Sequence, residues 1–251
     1  LAYLDADIVS RLAEDFIDMN IGSRMNTRIS EISRTDQGVS VTTEHGEKLQ
    51  ADALFYALGR EPNYDLLQLD KAGLVADDHG WVRINEHQQT SQAHIYIVGD
   101  LAGRPSLAST AMEQGRMAVH HAFQGKAGLG SGLLPMAIYT IPELSYVGET
   151  ERQLLQRKAD SVKGCAPYAN TARGQIIGNE HGLLKLLVDR QNRSILGVHI
   201  IGESASELVH VGQMAMSCGA TVDVLAATVF NYPTLAQCYK MAALECLMQL
   251  G

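Results

Sequence analysis

Residues 183–202, LLKLLVDRQNRSILGVHIIG, set the tightest limit on what this chain can become. An apolar run, a polar turn and a second apolar run predict two strands joined as a hairpin. Two helical patterns follow. In SASELVHVGQMAMSCGA (204–220), Leu208, Val211, Met214 and Ala215 are predicted to share one side, and YPTLAQCYKMAALECLMQL (232–250) closes the chain, with its helix predicted from Pro233. TVDVLAAT is predicted to open a short helix between them. The hairpin at 183–200 and these helices carry more apolar surface than one small layer buries. They predict an α+β domain that pairs with a second copy across a two-fold axis.

Upstream the pattern changes. Residues 5–19 read as a helix, with Ile8, Leu12 and Phe16 on one face. No element precedes it and no Met or signal-peptide pattern opens the chain, which predicts a start inside a domain. Val39, Val41 and Thr43 alternate, EHGE turns, and ADALFYALGR follows as an apolar strand ending on Gly59. AHIYIVGD (93–100) reads as a buried strand, and 105–123 as a helix with Ala108, Ala111, Gly115 and Ala118 at helical spacing. GKAGLGSGLLP (125–135), with four glycines, marks a linker and a boundary.

A net charge of −8 argues against a nucleic-acid surface, because binding a phosphate backbone needs clustered Lys and Arg. No apolar run approaches the ~20 residues of a membrane span, so no membrane or nucleic-acid partner is expected. The four cysteines, Cys165, Cys218, Cys238 and Cys246, form neither CxxC nor CxxxxC and read as buried thiols in a reducing cytoplasm. His181, His199 and His210 lack metal spacing, and no metal site is expected.

The chemistry concentrates where AHIYIVGD meets PSLASTAMEQGR. Gly99 allows close backbone approach, and Asp100 follows at the carboxyl end of the expected strand, the usual ligand edge of an open α/β sheet. Asp100 can accept hydrogen bonds from a polyol, or simply cap a turn. The next helix starts near Ser106 and Leu107, so its free N–H groups and positive dipole end are predicted to face a negative charge.

Thr90, the run to Gly99-Asp100 and PSLASTAMEQGR together resemble the second flavin-binding motif of the pyridine-nucleotide–disulfide oxidoreductase family. ALGREPN (57–63) resembles the segment by which that family's nicotinamide domain returns to its flavin domain. AIYTIPELSYVGETE (137–151) and ILGVHIIGESASELVHVG (195–212) resemble its interface domain. The resemblance covers nearly the whole chain, in the family's order. It implies partial Rossmann-like FAD- and NAD-binding domains, α/β in class, followed by an α+β dimerisation domain: 1–58 as the end of the NAD(P)-binding domain, 59–128 as the end of the FAD-binding domain, and 129–251 as the dimerisation domain of a cytoplasmic homodimer. It further implies FAD and NAD(P) as cofactors, held in part by Gly59, Arg60, Gly99, Asp100, Leu107 and Ala108. For Arg60 a surface salt bridge is the competing reading.

The stretch FNYPTLAQ (230–237) separates the family's chemistries. Disulfide reductases carry His-Pro-Thr-x-x-Glu here, an imidazole that exchanges protons with thiols and a carboxylate that orients it. This chain has Tyr232 and Gln237 instead. Tyrosine suits the family's transhydrogenases, in which hydride passes between two nicotinamides through flavin and no thiol is protonated. Gln237 departs from the acidic residue those enzymes keep. The alternatives are a disulfide reductase resembling lipoamide dehydrogenase, and a non-catalytic dimerisation fragment. The two Gly-x-Gly-x-x-Gly turns of the family do not occur in 1–251; the resemblance places them upstream of Leu1.

Overall fold

A computed structural model describes residues 1–103, 105–125 and 132–251. They form two compact units, Leu1–Ile21 with Gly130–Gly251, and Gly22–Leu129. The first unit therefore takes its opening helix from the segment expected at 1–58. Most of the glycine-rich linker, residues 126–131, and the boundary placed at 128/129 lie outside the described residues.

The first unit is built on a five-stranded antiparallel sheet in the order β4 (Met136–Ile138), β5 (Leu144–Gly148), β8 (Ile195–Ile201), β7 (Leu183–Asp189), β6 (Ser161–Pro167). The expected hairpin is its centre, and the short helices α3 (Glu151–Gln156) and α4 (Ala172–Ile177) lie in the connections from β5 to β6 and from β6 to β7. Alternation sends Leu184, Leu186, Val188, Val198 and Ile200 to one face, where α5 (Ala205–Ser217), α6 (Val222–Ala227) and α7 (Gln237–Leu250) bury them. On the opposite face α1 (Ala6–Asp18) packs Leu4, Ile8 and Leu12 against Leu144, Leu183 and Ile201.

Tyr239 of α7 is fully buried. Its hydroxyl donates to the Leu208 carbonyl at 2.7 Å and accepts from the Gly212 N–H at 3.1 Å. These are the two groups of one i→i−4 step of α5. Gly212 leaves the room, since a Cβ there would lie 2.6 Å from Val198 Cγ2.

Four local expectations are corrected. On α5 the buried face is Ala205, Val209 and Gly212, flanked by Leu208, Val211, Ala215 and Met216, while Met214 is exposed. Helix α7 starts at Gln237 rather than Pro233, because Gln237, Cys238 and Tyr239 bond back only three residues, to Thr234, Leu235 and Ala236. Phe230–Tyr232, whose apolar and aromatic residues before Pro233 read as a strand end, forms no strand. Cys218 is exposed; Cys238 and Cys246 are buried and Cys165 is half-buried, all as free thiols.

The second unit holds a three-stranded antiparallel meander, β1 (Ile29–Thr35), β2 (Gly38–Thr43) and β3 (Lys48–Ala51), a small core of Leu74, Val82 and Ile97, and the long helix α2 (Ala108–Gln124). Two expected strands do not form among the described residues. Residues 54–58 pair with nothing and expose Phe55, Tyr56 and Leu58, and 93–98 makes a single bridge, Tyr96 to Gln89. A strand exists only through neighbours that take its backbone hydrogen bonds. No helix among the described residues is long and apolar enough to cross a membrane.

Candidate functional site

The chain enters the candidate site in extended form at Val98 and turns at Gly99, whose φ of +72° suits glycine. The Gly99 N–H donates to Gln114 Oε1 of α2 at 2.7 Å, which ties the turn Gly99–Ala102 to the helix that follows. Asp100, half-buried, is thereby held and meets Arg60, whose Nη2 lies 3.0 Å from Asp100 Oδ2. Arg60 is 80% exposed, so the salt bridge and the candidate-site readings fall on the same residue. Gly59 before it has φ +93° and open space where a Cβ would point.

Leu107 is the extended N-cap of α2 and Ala108 its first residue. No side chain caps this end and no acidic residue occupies the first turn. The first N–H groups of a helix lack intrahelical partners, so those at Ala108, Ser109 and Thr110 are left to bind an electron-rich group. Thr90, part of the same motif, shapes the approach: its hydroxyl donates toward the Gln92 and Ile95 carbonyls and accepts from the Gln92 N–H.

The far end of α2 is held by a contact that sequence reasoning missed. His121 stacks on His87 with ring centroids 4.1 Å apart, and its Nδ1 is 2.9 Å from the Tyr96 hydroxyl. Nothing in the spacing of these three residues pairs them; they meet because α2 runs back along the 85–97 turn.

In the first unit, Tyr232 is exposed and Gln237 opens α7. Thr234 hydroxyl donates to the Asn231 carbonyl at 2.7 Å and closes the turn between them. Neither position carries an imidazole or a carboxylate, so the His–Glu arrangement of a thiol-directed proton-transfer pair is absent here.

A second polar cluster lies under α1. Lys185, the polar interruption of β7, is fully buried, and its Nζ is 2.7 Å from each of Asp5 Oδ1, Asp7 Oδ2 and Glu151 Oε2. Lys163 Nζ reaches the last two at 3.3 and 3.2 Å. Three carboxylates at this spacing would suit a metal ion, but the Lys185 ammonium takes the cation's place. Burial alone would lower an ammonium's affinity for its proton, yet hydrogen bonds to the three carboxylates hold Lys185 well above its ordinary range. His199 pairs with Lys185 across the strands and with Tyr146 on the other side. Burial pushes its imidazole below the ordinary range, and Nε2 lies 2.9 Å from the Glu149 carbonyl. His210 bonds locally to Gln213, and His181 Nδ1 lies 3.0 Å from Asp15 Oδ1 of α1.

Comparison with known proteins gives this geometry its context. Residues 1–115 match the family "Pyridine nucleotide-disulphide oxidoreductase", and residues 134–243 match its dimerisation domain. The chain belongs to the pyridine nucleotide-disulphide oxidoreductase family. It is 42% identical over 254 residues to the soluble pyridine nucleotide transhydrogenase of Sodalis glossinidius, covering 100% of this chain and 55% of that protein. The protein of the same name from Mycobacterium bovis is 40% identical over 250 residues, covering 100% and 53%. The chain thus spans about half the length of the curated relatives it matches. Among solved structures, the HOCl-induced flavoprotein disulfide reductase RclA from Escherichia coli superimposes with a TM-score of 0.90 at 25% identity, covering 97% of this chain and 56% of that one.

Proposed function

We propose that the protein is an FAD-dependent soluble NAD(P)+ transhydrogenase, and that this chain supplies part of its flavin site and its dimerisation domain. The observation that carries the reading is Tyr232, exposed in the place where the family's disulfide reductases hold histidine. The printed names of the relatives at 40–42% identity support it.

The residues present fit a flavin. Asp100 is a carboxylate acceptor fixed beside a glycine turn, and α2 presents an uncapped positive end with no acidic side chain in its first turn. Asp100 would accept a hydrogen bond from a sugar-alcohol hydroxyl, with Arg60 balancing its charge. The N–H groups from Ala108 onward would stabilise negative charge on a reduced ring. Flavin, when bound, supplies the two-electron chemistry that links the two nicotinamide nucleotides. Gly59 and Gly99 admit close backbone approach, and Leu107 sets the direction of the helix. The region divisions at 58 and 128 and a homodimer through 129–251 belong to the same proposal; Tyr139, Ile141, Val229 and Met248 give the first unit an exposed apolar surface.

The test is steady-state hydride transfer from NADPH to an NAD+ analogue by the purified full-length gene product, with visible flavin absorption recorded and lipoamide and glutathione disulfide as alternative acceptors. Transfer without disulfide turnover is expected. Disulfide turnover without transfer would establish the second reading, disulfide reduction, which the likeness to RclA favours.

A further inference from the structure

We propose that Lys185 is a positioning residue that makes α1 a mechanical part of the dimerisation domain. The family regions and the compact units divide this chain differently. Asp5, Asp7 and the rest of α1 lie in the region matched at 1–115, whereas Glu151, Lys163 and Lys185 lie in the dimerisation region at 134–243. Yet α1 groups with the dimerisation domain, and the unit boundary falls between Ile21 and Gly22. The ion cluster is the joint across that division.

Its construction is specific. Asp5 Oδ1 accepts from the Asp7 N–H and from Lys185, and Asp5 Oδ2 accepts from the Glu151 N–H. One carboxylate therefore serves the N-terminal ends of both α1 and α3 (Glu151–Gln156). Asp7 and Glu151 sit in the first turns of those helices, where the dipole favours negative charge. Without Lys185 three carboxylates would face one another with Lys163 alone to balance them. The apolar contacts of Leu4, Ile8 and Leu12 attract α1 to the sheet but fix no register, because burial is non-directional. The three 2.7 Å contacts from one buried ammonium do fix it. The bearing of this joint on hydride transfer rests on the function proposed above: transfer needs its two nucleotides held in near-attack geometry, and α1 anchors the start of the first family region.

Amide hydrogen exchange on the full chain tests the joint without reference to activity. In Lys185→Met, exchange across residues 6–18 should quicken by about a hundredfold or more, because removing one partner leaves buried charge uncompensated. Amides of β7 and β8 should keep their protection. The variant K185M/D5N/D7N, which removes the uncompensated charge and leaves Glu151 facing Lys163, should still exchange quickly in α1, because the contacts that fix its register stay lost; recovery of α1 protection would overturn the proposal. Unchanged exchange in α1 of Lys185→Met would overturn the proposal. If Lys185→Met loosens the whole sheet, Asp7→Asn decides: selective loosening of α1 supports the joint, and uniform loss over α1 and sheet overturns it. In the full-length gene product, Lys185→Met should also lower kcat for hydride transfer by about tenfold or more with flavin retained, as misplacement of reacting groups does, and K185M/D5N/D7N should not restore it. Loosened α1 with unchanged kcat would overturn the positioning role. Failure of the parent protein to transfer hydride would remove the functional reading and leave the exchange result standing.

Discussion

Arg60 Nη2 lies 3.0 Å from Asp100 Oδ2, so the two motif segments that single out the candidate site converge on one ion pair. Asp100 is the better-held member, fixed through Gly99 and Gln114, and Arg60 is the exposed one. Hydrogen bonds to charged groups contribute about 1.5–3 kcal/mol. Asp100→Ala in the full-length gene product should therefore weaken flavin binding by about 10–100-fold. Arg60→Ala should change stability by at most about 1 kcal/mol, as exposed pairs do. Flavin released on dilution, followed by fluorescence, checks the first; full retention in Asp100→Ala would refute it.

Tyr232→Phe should leave NADPH-to-NAD+ transfer within roughly threefold of the parent, whereas loss of a general acid–base group costs about 10²–10⁴-fold. Steady-state rates with flavin content measured in parallel decide this. A hundredfold loss with flavin still bound would show that the hydroxyl acts in the chemistry.

Gly164→Ala should destabilise the dimerisation domain by about 1–3 kcal/mol or more, as overpacking does. A Cβ at Gly164 would lie 2.0 Å from the Ala242 carbonyl oxygen and 2.8 Å from Cys246 Sγ, so β6 and α7 would have to part. Urea unfolding followed by circular dichroism gives the value, and a midpoint equal to the parent's would refute it.

Stability should fall in two steps on acidification. Burial keeps His199 neutral in the fold, with its imidazole held below the ordinary range. Below about pH 6.5 the unfolded chain takes a proton that the native state refuses, so stability present above that pH is lost as pH falls toward the native value. The slope for one such group is at most about 1.4 kcal/mol per pH unit. For Asp5, burial raises the carboxyl, but the hydrogen bonds from Lys185 and from the Glu151 N–H outweigh it. For Asp7 the hydrogen bond from Lys185 leads. Both are lowered, so their contribution is present above about pH 4, the ordinary carboxylate range, and is lost as pH falls through their native values. Urea midpoints from pH 8 to 3 should show both declines, and His199→Gln should flatten only the first.

The sequence made α1 legible because its packing obeys the period, and the β7–β8 hairpin because two apolar runs flank a polar turn; α5 and α6 were legible as helices, but not the face that α5 buries. The strand β1 was not, since ISEISRT carries no alternation and stays exposed along its length. Residues 54–58 and 93–98 read as strands from apolar content alone, and content does not supply the neighbours that strands require. At the candidate site Gly59, Arg60, Gly99, Asp100, Leu107 and Ala108 were singled out through motif; a surface salt bridge at Arg60 was one of two open readings, and nothing in the sequence named Asp100 as its partner. The Lys185 cluster was invisible. Its carboxylates stand 180, 178 and 34 positions away, and a lysine in an apolar run signals nothing by itself.

The Tyr239 hydroxyl joins the backbone ladder of a helix that lies 27 residues earlier in the chain. Helices α5 and α7 therefore share a rung, and neither can rotate about its own axis or slide past the other without breaking it. They behave as one splinted element of the domain. A strain applied to the C-terminal helix reaches the middle of α5 directly, and a chain ending before Tyr239 would lose that rung together with α7.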